Sequence, residues 1–336
     1  MVQTRLSHHD YTIAWICALP LEMAGAKAML DEIHPDLPAR PNDQNAYVLG
    51  TIRSHHVVVA CLPSGVYGTT SAATVAAHLL STFPAIQFGL MVGIGGGAPT
   101  RENDIRLGDV VVSTPQGTMG GVVQYDFGKT IQQGAFQRTG VLNRPPQALL
   151  MALSKLRANH LVEDSQVPDM LTEMLTRYPN MQSGFASPGP EHDHLFESAY
   201  DHPDANGSCG ECDASKLVSR PSRAVPGPVI HYGIIASGNQ VMKHGVTRDR
   251  LAKELGVICF EMEAAGLADN LPCLVIRGIC DYSDSHKNKE WQGYAAATAA
   301  AWTKALLSVI HPRPVTAPDR TFQQHTWMIP VVYRGE

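Results

Sequence analysis

Seven short, uninterrupted runs of apolar and mostly β-branched residues recur along the chain, and they constrain its fold more than any other feature. An uninterrupted apolar run is typical of a strand with both faces buried, whereas a half-exposed strand alternates apolar and polar residues. We therefore expect a largely parallel sheet that is covered on both faces. The runs occupy residues 12–19, 57–62, 88–94, 109–113, 233–237, 257–261 and 273–279.

Segments with helical periodicity lie between these runs. Apolar residues from Ala72 to Phe83 recur at helical spacing, residues 265–271 follow the same pattern, and residues 293–309 are rich in the strong helix former alanine. The alternation of strands and helices predicts an α/β fold, a three-layer α/β/α sandwich around a mostly parallel mixed central sheet.

This α/β pattern extends over residues 10–311, which we interpret as a single domain. The pattern is lost at about residues 161–228, where Pro, Ser, Asp and His dominate the composition. Such a composition predicts an irregular insertion. Residues 312–336 are expected to form a C-terminal tail.

Composition argues against several classes of function. A net charge of −5 disfavours a nucleic-acid partner, and no run approaches the roughly 18 apolar residues that a membrane span needs. The N-terminus lacks the apolar segment of a secretory signal. Five of the seven cysteines lie in apolar strand-like runs, where a free thiol behaves as a small hydrophobic group. These features predict a reducing, cytoplasmic setting.

The chemistry is concentrated between Phe260 and Ser283. Glu261 and Glu263 lie where an apolar strand passes into a helix-like segment, and the next apolar strand carries Arg277 and ends beside Asp281. Ligands of open α/β sheets bind at the carboxyl ends of strands. One acid that protonates a leaving group and a second that binds a diol would act together on a sugar-bearing small molecule.

These motifs also resemble a known family. FEMEAAG at residues 260–266 and VIRGICDYSD at residues 275–284 resemble the nucleoside phosphorylase family I, which includes purine nucleoside phosphorylases and methylthioadenosine/S-adenosylhomocysteine nucleosidases. SGNQV, GIGGGAP and CALPLEM extend the resemblance, which covers roughly residues 10–160 and 229–311. GVVQYDFGKT is similar to a fungal branch whose nucleosidase domains are often fused to NTPase and repeat modules in immune-receptor-like proteins.

The resemblance implies roles for four of these residues. Glu263 would bind the ribose hydroxyls, Met262 would stack on the sugar, and Asp281 would be the general acid at purine N7. Arg277 would lie near the nucleophile, although an arginine in an apolar strand also needs an anionic partner in its own right. From the residues alone, Asp281 could equally cap a helix, and the two acids around Met262 could simply favour a helix N-terminus.

Glu22 separates two reactions. The resemblance implies that phosphorylases carry a phosphate-binding arginine at this position of the CALPLEM loop, whereas nucleosidases carry a glutamate. A carboxylate repels phosphate and can take a proton from an attacking water, so we expect hydrolysis with Glu22 as general base. The alternative is that Glu22 is only a first-turn helix acid.

Further residues are expected to form the pocket. Gly95 and Gly96 follow a buried strand, where bare backbone can approach a ligand, and Gly65 is placed on the same face. The resemblance implies that Ser237, Val241 and Met242 contact the purine. Glu261 is included as a substrate-binding residue beside Glu263.

Several cations are candidates for a 5′-phosphate site, since lysine binds phosphate as a point charge. Lys287 and Lys289 follow the Asp281 motif directly. Some immune-type relatives act on ATP, which favours a nucleotide substrate. The alternative is that the cations form a solvated face. The remaining candidates are Lys129, Arg220 and Arg223.

Cys209 and Cys212 form a C-x-x-C pair downstream of His202. This spacing is typical of half of a zinc site, but a structural site needs four ligands and no second C-x-x-C is present. A structural zinc at Cys209, Cys212 and His202 and a pair of loop or redox-active thiols both remain open. No cofactor is expected to be required for the reaction.

The sequence therefore predicts a purine nucleosidase, an N-glycosidase that hydrolyses adenine or guanine nucleosides or their 5′-phosphates, with a homo-oligomeric assembly. The alternative within the same family is a phosphate-dependent purine nucleoside phosphorylase. A different class, a non-catalytic purine nucleotide sensor or assembly module, is favoured by the receptor-like branch and the insertion. A retained acid, base and ribose clamp argue against it.

Overall fold

The computed structural model describes residues 6–204, 209–223 and 227–312. A ten-stranded mixed sheet forms its centre, and a separate two-stranded hairpin, β8 with β9, projects from it. The strands are β1 Ile13–Cys17, β2 Glu32–His34, β3 Tyr47–Ile52, β4 His55–Cys61, β5 Phe88–Gly97, β6 Val110–Ser113, β7 Val122–Gln124, β8 Gly128–Thr130, β9 Phe136–Arg138, β10 Ile230–Ser237, β11 Val257–Glu261 and β12 Cys273–Asp281.

Helices pack on the sheet and connect its strands, and short 3₁₀ turns occur between them. None of the described helices is long and apolar enough to cross a membrane. The α-helices are α1 Pro20–Met29, α2 Thr69–Thr82, α3 Gln147–Asn159, α4 Val167–Arg177, α5 Gln182–Phe185, α6 Gly245–Leu255 and α7 Gln292–Val309.

The sheet is partly closed on itself. Its strand order is β11-β10-β6-β12-β5-β1-β4-β3-β2, and β11 also pairs with β5 through Cys259 with Gly97 and Phe260 with Gly96. Strands β5, β12, β6, β10 and β11 therefore form a closed ring. The closure brings the carboxyl ends of β5, β11 and β12 to one place, where the chemistry-bearing motifs were predicted to meet.

Both faces of the sheet are covered, as the uninterrupted apolar runs predict. In β1, Trp15 belongs to the core beneath α1, α3, α4 and α7, while its neighbour Ile16 belongs to the core beneath α2. Helix α7 lies so close to β12 that Gly278 abuts the backbone carbonyl of Ala295, leaving no room for a side chain. The expected three-layer α/β/α sandwich with a mostly parallel central sheet is confirmed.

Two segments differ from their predictions. Residues 265–271 form no α-helix: the chain makes the 3₁₀ turn Ala264–Gly266 and further hydrogen-bonded turns, with Gly266 packed against the backbone of Thr69 at the start of α2. The segment 161–228 is not irregular throughout. It contains α4, whose buried Leu171 and Met174 join the main core, and the short α5. The expected tail lies outside the described residues apart from Pro312.

Candidate active site

A cavity of about 540 Å³ opens where β1, β5, β11 and β12 end. Its wall combines a cluster of buried charges with an apolar side that includes Phe260. The structure therefore gathers most of the predicted site at one place. The predicted residues that line it are Glu22, Gly95, Gly96, Val241, Met242, Glu261, Met262, Glu263, Arg277, Lys287 and Lys289.

Glu22 is held in the first turn of α1. Pro20 occupies the first helical position, and the Glu22 carboxylate reaches back to accept hydrogen bonds from the backbone N–H groups of Ala18 at 2.6 Å and Leu19 at 2.9 Å. Its other oxygen accepts from the N–H of Ile94 at 2.7 Å. Glu22 is thus a first-turn helix acid and a pocket residue at once.

Burial controls the protonation of Glu22. Only 3% of the residue is exposed, and this desolvation raises the pKa of its carboxyl, while the Arg277 guanidinium and the three backbone N–H groups oppose the increase. A carboxylate with a raised pKa is a better proton acceptor than one in water. Glu22 therefore has the position and basicity that a general base requires.

Arg277 is the centre of the charged cluster. It is 1% exposed, and its guanidinium donates to the carboxylate of Glu261, to Glu263 Oε2 at 3.2 Å and to the carbonyl of Ile94 at 3.2 Å. The anionic partner that a buried arginine needs is therefore present. Because the carboxylates of Glu22, Glu261 and Glu263 surround one guanidinium, this end of the cavity carries an excess of negative charge.

Glu261 and Glu263 have different surroundings. Glu261 accepts hydrogen bonds from the backbone N–H groups of Glu263 at 3.1 Å and Ala264 at 3.0 Å, in addition to that from Arg277, so its carboxylate orders the turn after β11. For Glu263, burial and then the neighbouring carboxylates outweigh Arg277 and raise its pKa to about 7. Glu263 retains free acceptor capacity, which the binding of a diol needs.

Asp281 forms an ion pair with Lys287. Asp281 Oδ2 lies 2.8 Å from Lys287 Nζ, and Asp281 Oδ1 accepts the backbone N–H of Ser283 at 2.9 Å. Burial favours the neutral acid, but Lys287 and these hydrogen bonds prevail and hold the pKa of Asp281 below its ordinary value. Lys287 and Ser283 line the main cavity, while Asp281 itself lines an adjoining cavity of about 380 Å³.

The glycine run of β5 lets these groups approach one another. A side chain at Gly93 would strike the carboxylate of Glu22 and the guanidinium of Arg277, and one at Gly96 would strike Ser283 and Asp281. Glu22 and Arg277 therefore approach β5 near Gly93, and Ser283 and Asp281 approach it near Gly96.

Two predicted residues of the pocket wall do not line the cavity. Ser237 is fully buried and its Oγ accepts a hydrogen bond from the N–H of Ala265 at 2.9 Å, so it supports the turn beneath the site instead of lining the cavity. Gly65 lies in an exposed loop, and Tyr67 of the same loop lines the cavity in its place. Tyr67 could have been suspected as an aromatic residue in a turn that follows a strand.

The structure places three of the five candidate phosphate contacts away from the main cavity. Arg220 pairs with Asp193 of the same segment at 2.9 Å and donates to the carbonyl of Ile105, and Arg223 pairs with Asp109, the residue before β6, at 2.6 Å. Lys129 is exposed on the β8 strand of the hairpin. Lys287 lines the cavity but is paired with Asp281, and Lys289 lines it as an exposed side chain.

Sequence reasoning missed several lining residues. Phe260 precedes the recognised acids and carries no polar signal, while Gln240 and Gln292 come from a loop and from the start of α7. A glutamine in such a position has no sequence signature of its own. Their amides add hydrogen-bonding groups to a wall that is otherwise apolar.

The predicted metal-binding residues are also brought together. Ligand atoms of His202, Cys209 and Cys212 lie within 4.8 Å of one another, away from the main cavity. None of the described cysteines is in a disulfide.

The fold and the charged cluster define an α/β domain with a cavity large enough for a small molecule, and known proteins share its sequence and fold. No family model matches the chain. Over 309 residues it is 48% identical to a nucleotide-binding leucine-rich repeat-like protein of the fungus Hyaloscypha variabilis, covering 92% of this chain but only 30% of that protein.

Two enzymes are more distant relatives. The 5′-methylthioadenosine/S-adenosylhomocysteine nucleosidase of Mycobacterium bovis is 24% identical over 311 residues, covering 89% of this chain and 96% of the enzyme. The ATP nucleosidase Cap17 of Escherichia coli is 25% identical over 309 residues, covering 89% of this chain and 51% of that protein.

A solved structure shows the same fold. The 5′-methylthioadenosine nucleosidase of Helicobacter pylori with 5′-methylthioadenosine in its active site matches with a TM-score of 0.57 at 16% identity, covering 89% of this chain and 98% of the other. The homologues of the chain thus include nucleosidases of the methylthioadenosine/S-adenosylhomocysteine type, an ATP nucleosidase and a fungal nucleotide-binding leucine-rich repeat-like protein. Its nucleosidase relatives agree with the expected enzyme class, a hydrolase acting on N-glycosyl compounds.

Proposed function

We propose that this domain is a purine nucleosidase that hydrolyses the N-glycosidic bond of adenine or guanine nucleosides and of their 5′-phosphates. The observation that carries the proposal is the placement of Glu22. Its buried carboxylate is fixed by three backbone N–H groups beside Arg277, with Glu261 and Glu263 close by. An inorganic phosphate would meet three carboxylates and one guanidinium there, whereas a water molecule meets proton acceptors.

The reaction follows from this arrangement. Glu22 takes a proton from the water as its oxygen forms a bond to C1′ of the ribose, and the electron pair of the C1′–N9 bond passes to the purine. Glu263 accepts hydrogen bonds from the ribose hydroxyls and holds C1′ near the water. Its negative charge also stabilises the positive charge that develops on the sugar.

The leaving purine receives a proton from the pair of Asp281 and Lys287. At neutral pH this pair holds its proton on the Lys287 ammonium, because the pKa of Asp281 is low. As negative charge builds on the purine, N7 becomes a stronger base. The Lys287 ammonium then gives its proton to the carboxylate of Asp281, and Asp281 passes a proton to N7. Burial of Asp281 strengthens its interaction with both partners.

The nucleophile can be tested directly. The purified domain is incubated with adenosine or guanosine in phosphate-free buffer, and the base and sugar products are separated by chromatography. We expect free base and ribose at a rate that inorganic phosphate does not increase. Strict dependence on phosphate with formation of ribose 1-phosphate would refute hydrolysis and support the phosphorylase alternative.

The 5′-substituent is a further part of the proposal. Lys289 lies at the cavity with its side chain exposed, and the relative Cap17 is an ATP nucleosidase. We expect nucleotides to be accepted together with nucleosides. A comparison of kcat/KM for adenosine, guanosine, methylthioadenosine, AMP and ATP tests this, with Lys289→Glu expected to reduce kcat/KM for ATP but not for adenosine.

A second candidate function is nucleotide sensing. The fungal relative is a nucleotide-binding leucine-rich repeat-like protein of which this chain spans 30%, which favours a role in recognition or assembly. A sensor would bind purine nucleotides without releasing base over hours. Glu22 and Glu263 line one cavity, and Asp281 lines the adjoining one while its partner Lys287 lines the first. This arrangement argues for turnover, and the same chromatographic assay separates the two functions.

Homo-oligomerisation remains a prediction. Val66, Tyr67 and Val241 are each more than 40% exposed, and Tyr67 and Val241 line the cavity. A neighbouring subunit would cover such apolar groups. Light scattering on the purified chain measures the assembly, and a fully active monomer would contradict this expectation.

A further inference from the structure

The segment between the two halves of the α/β pattern carries a cluster of metal-binding side chains. Ligand atoms of His202, Cys209 and Cys212 all lie within 4.8 Å of one another, and each of the three residues is partly buried. A tetrahedral zinc ion with bonds of about 2.3 Å to sulfur and 2.0 Å to nitrogen holds its ligands ~3.3–3.8 Å apart. Only a small closure of the cluster would be needed to bind one.

The chemistry of the three ligands selects zinc. Thiolate and imidazole together favour Zn²⁺ over the hard cations Mg²⁺ and Ca²⁺, which take oxygen ligands. Cys209 and Cys212 are part of one turn, the 3₁₀ segment Cys209–Glu211, in which the backbone N–H of Cys212 bonds to the carbonyl of Cys209 at 3.2 Å. This turn places both thiols on the same side, as C-x-x-C zinc sites do.

Unpartnered imidazole nitrogens support a ligand at this place. Nε2 of His202 is buried and has no hydrogen-bond partner among the residues that the structure describes. His286, whose ring centre lies 5.3 Å from that of His202, is 7% exposed, and both of its ring nitrogens lack a hydrogen bond within the same part of the chain. Buried polar groups are normally satisfied, so such a pair of histidines needs an explanation.

The cluster rests directly on the catalytic loop. The backbone N–H of His202 donates to Ser285 Oγ at 2.9 Å, and Cys209 Sγ lies 3.8 Å from the carbonyl oxygen of His286. The His286 ring is also stacked on Phe196, with centres 4.1 Å apart. Lys287, the partner of Asp281, is the next residue in the chain. Whatever orders the cluster therefore also orders the loop that holds the proton-donating pair.

We propose that His202, Cys209 and Cys212 bind a structural zinc ion that fastens this segment to the catalytic loop. Three protein ligands leave a fourth position, which the ring of His286 or a water molecule fills. In the structure, Nδ1 of His202 accepts the backbone N–H of Asp204 at 3.0 Å. Coordination through Nε2 transfers the ring proton to Nδ1, so the contact with Asp204 opens when zinc binds.

Metal analysis tests the site. The full chain is purified under reducing conditions, supplied with zinc, desalted and analysed by plasma mass spectrometry. We expect about one zinc per chain, falling at least fivefold in Cys209→Ser, Cys212→Ser and His202→Ala. His194→Ala, an exposed histidine in the same segment, is the matched control and retains the metal. Substitution by cobalt should give sulfur-to-cobalt charge-transfer absorption that Cys212→Ser abolishes.

Two outcomes would overturn the site. One is a reduced, folded chain that retains no zinc after reconstitution. The other is a Cys209–Cys212 disulfide that persists in the presence of reduced glutathione, which would identify the two thiols as a redox pair. Since neither readout involves base release, failure of the zinc site and failure of the proposed nucleosidase activity are distinguishable.

Amide hydrogen exchange tests whether the zinc ion attaches this segment to the catalytic loop. Removal of zinc by a chelator should increase amide exchange in residues 283–290 at least tenfold, while exchange in α7 and β1 stays unchanged. The His194→Ala variant treated in the same way provides the control. Zinc loss without any change in the exchange of residues 283–290 would refute the link between the metal and the catalytic loop.

Discussion

The most decisive perturbation of the site is Glu22→Gln, which keeps the shape of the side chain and removes its charge. In the wild-type structure, Oε2 accepts the N–H groups of Ala18 and Leu19, and Oε1 accepts that of Ile94. The glutamine carbonyl can retain the first two hydrogen bonds. Its amide nitrogen would face the N–H of Ile94, which leaves that donor unpaired at a cost of about 1–3 kcal/mol.

This cost is partly offset, because an amide no longer needs the hydration that the buried carboxylate has lost. We therefore expect Glu22→Gln to fold, with a stability within about 2 kcal/mol of wild type. Removing a general base typically slows a reaction about 10²–10⁴-fold, equivalent to ~3–5.5 kcal/mol of transition-state stabilisation. The expected loss is in kcat, with a smaller effect on KM, since Glu22 acts on water and not on the bound purine.

The assay compares kcat and KM for base release in phosphate-free buffer with unfolding midpoints measured by circular dichroism. Glu32→Gln makes the same chemical change at an exposed acid of β2 and is the matched control. A Glu22→Gln enzyme with kcat within threefold of wild type would refute the assignment of Glu22 as the base. A loss of activity that accompanies unfolding would be separated from it by the circular dichroism measurement.

Three further substitutions test the other groups. Asp281→Asn should lower kcat about 10²–10⁴-fold, and near-normal base release would remove Asp281 from the mechanism. Lys287→Met takes away the ammonium that lowers the pKa of Asp281, so activity should fall at neutral pH and recover in part as the pH is lowered and Asp281 becomes protonated; a uniform loss at all pH values would contradict this. The pKa of Glu263 is about 7 in the folded protein and 4.5 in the unfolded chain. Between these pH values the folded state binds more protons than the unfolded state, so the free energy of unfolding falls as the pH rises, and the loss of stability is complete above pH 7. Glu263→Gln should abolish this component of the pH dependence in denaturant titrations, and an unchanged profile would show that another group titrates.

The sequence predicts the layers of the fold because burial on two faces leaves a readable pattern. All seven apolar runs form strands, from β1 Ile13–Cys17 to β12 Cys273–Asp281. Strands without that pattern escaped prediction, such as β2 Glu32–His34, which is largely exposed, and the hairpin of Gly128–Thr130 with Phe136–Arg138. Their pairing depends on neighbours in space and not on their own composition.

The site could be predicted to the extent that its chemistry lies in short motifs. Glu22, Glu263 and Arg277 line one cavity, as the resemblance implies. Arg220 and Arg223 lie away from the cavity, which a sequence cannot reveal because it shows cations without their ion-pair partners. Asp193 and Asp109, which neutralise them, are 27 and 114 residues distant in the chain.

The ion pair between Lys287 and Asp281 affects how strongly the site attracts a charged substrate. Lysine at this position is committed to a carboxylate, so it offers a nucleotide's phosphates less attraction than an unpaired cation would. At the same time, the pair keeps Asp281 ionised at rest, and a proton moves only when a purine begins to carry negative charge. Binding and chemistry are therefore linked through the same loop, residues 281–289, whose far side contacts His202 and Cys209. The contacts of His202 and Cys209 hold the loop after β12, and this loop keeps Lys287 beside the buried Asp281 at the end of that strand. The large segment between the two halves of the domain thereby gains a physical role.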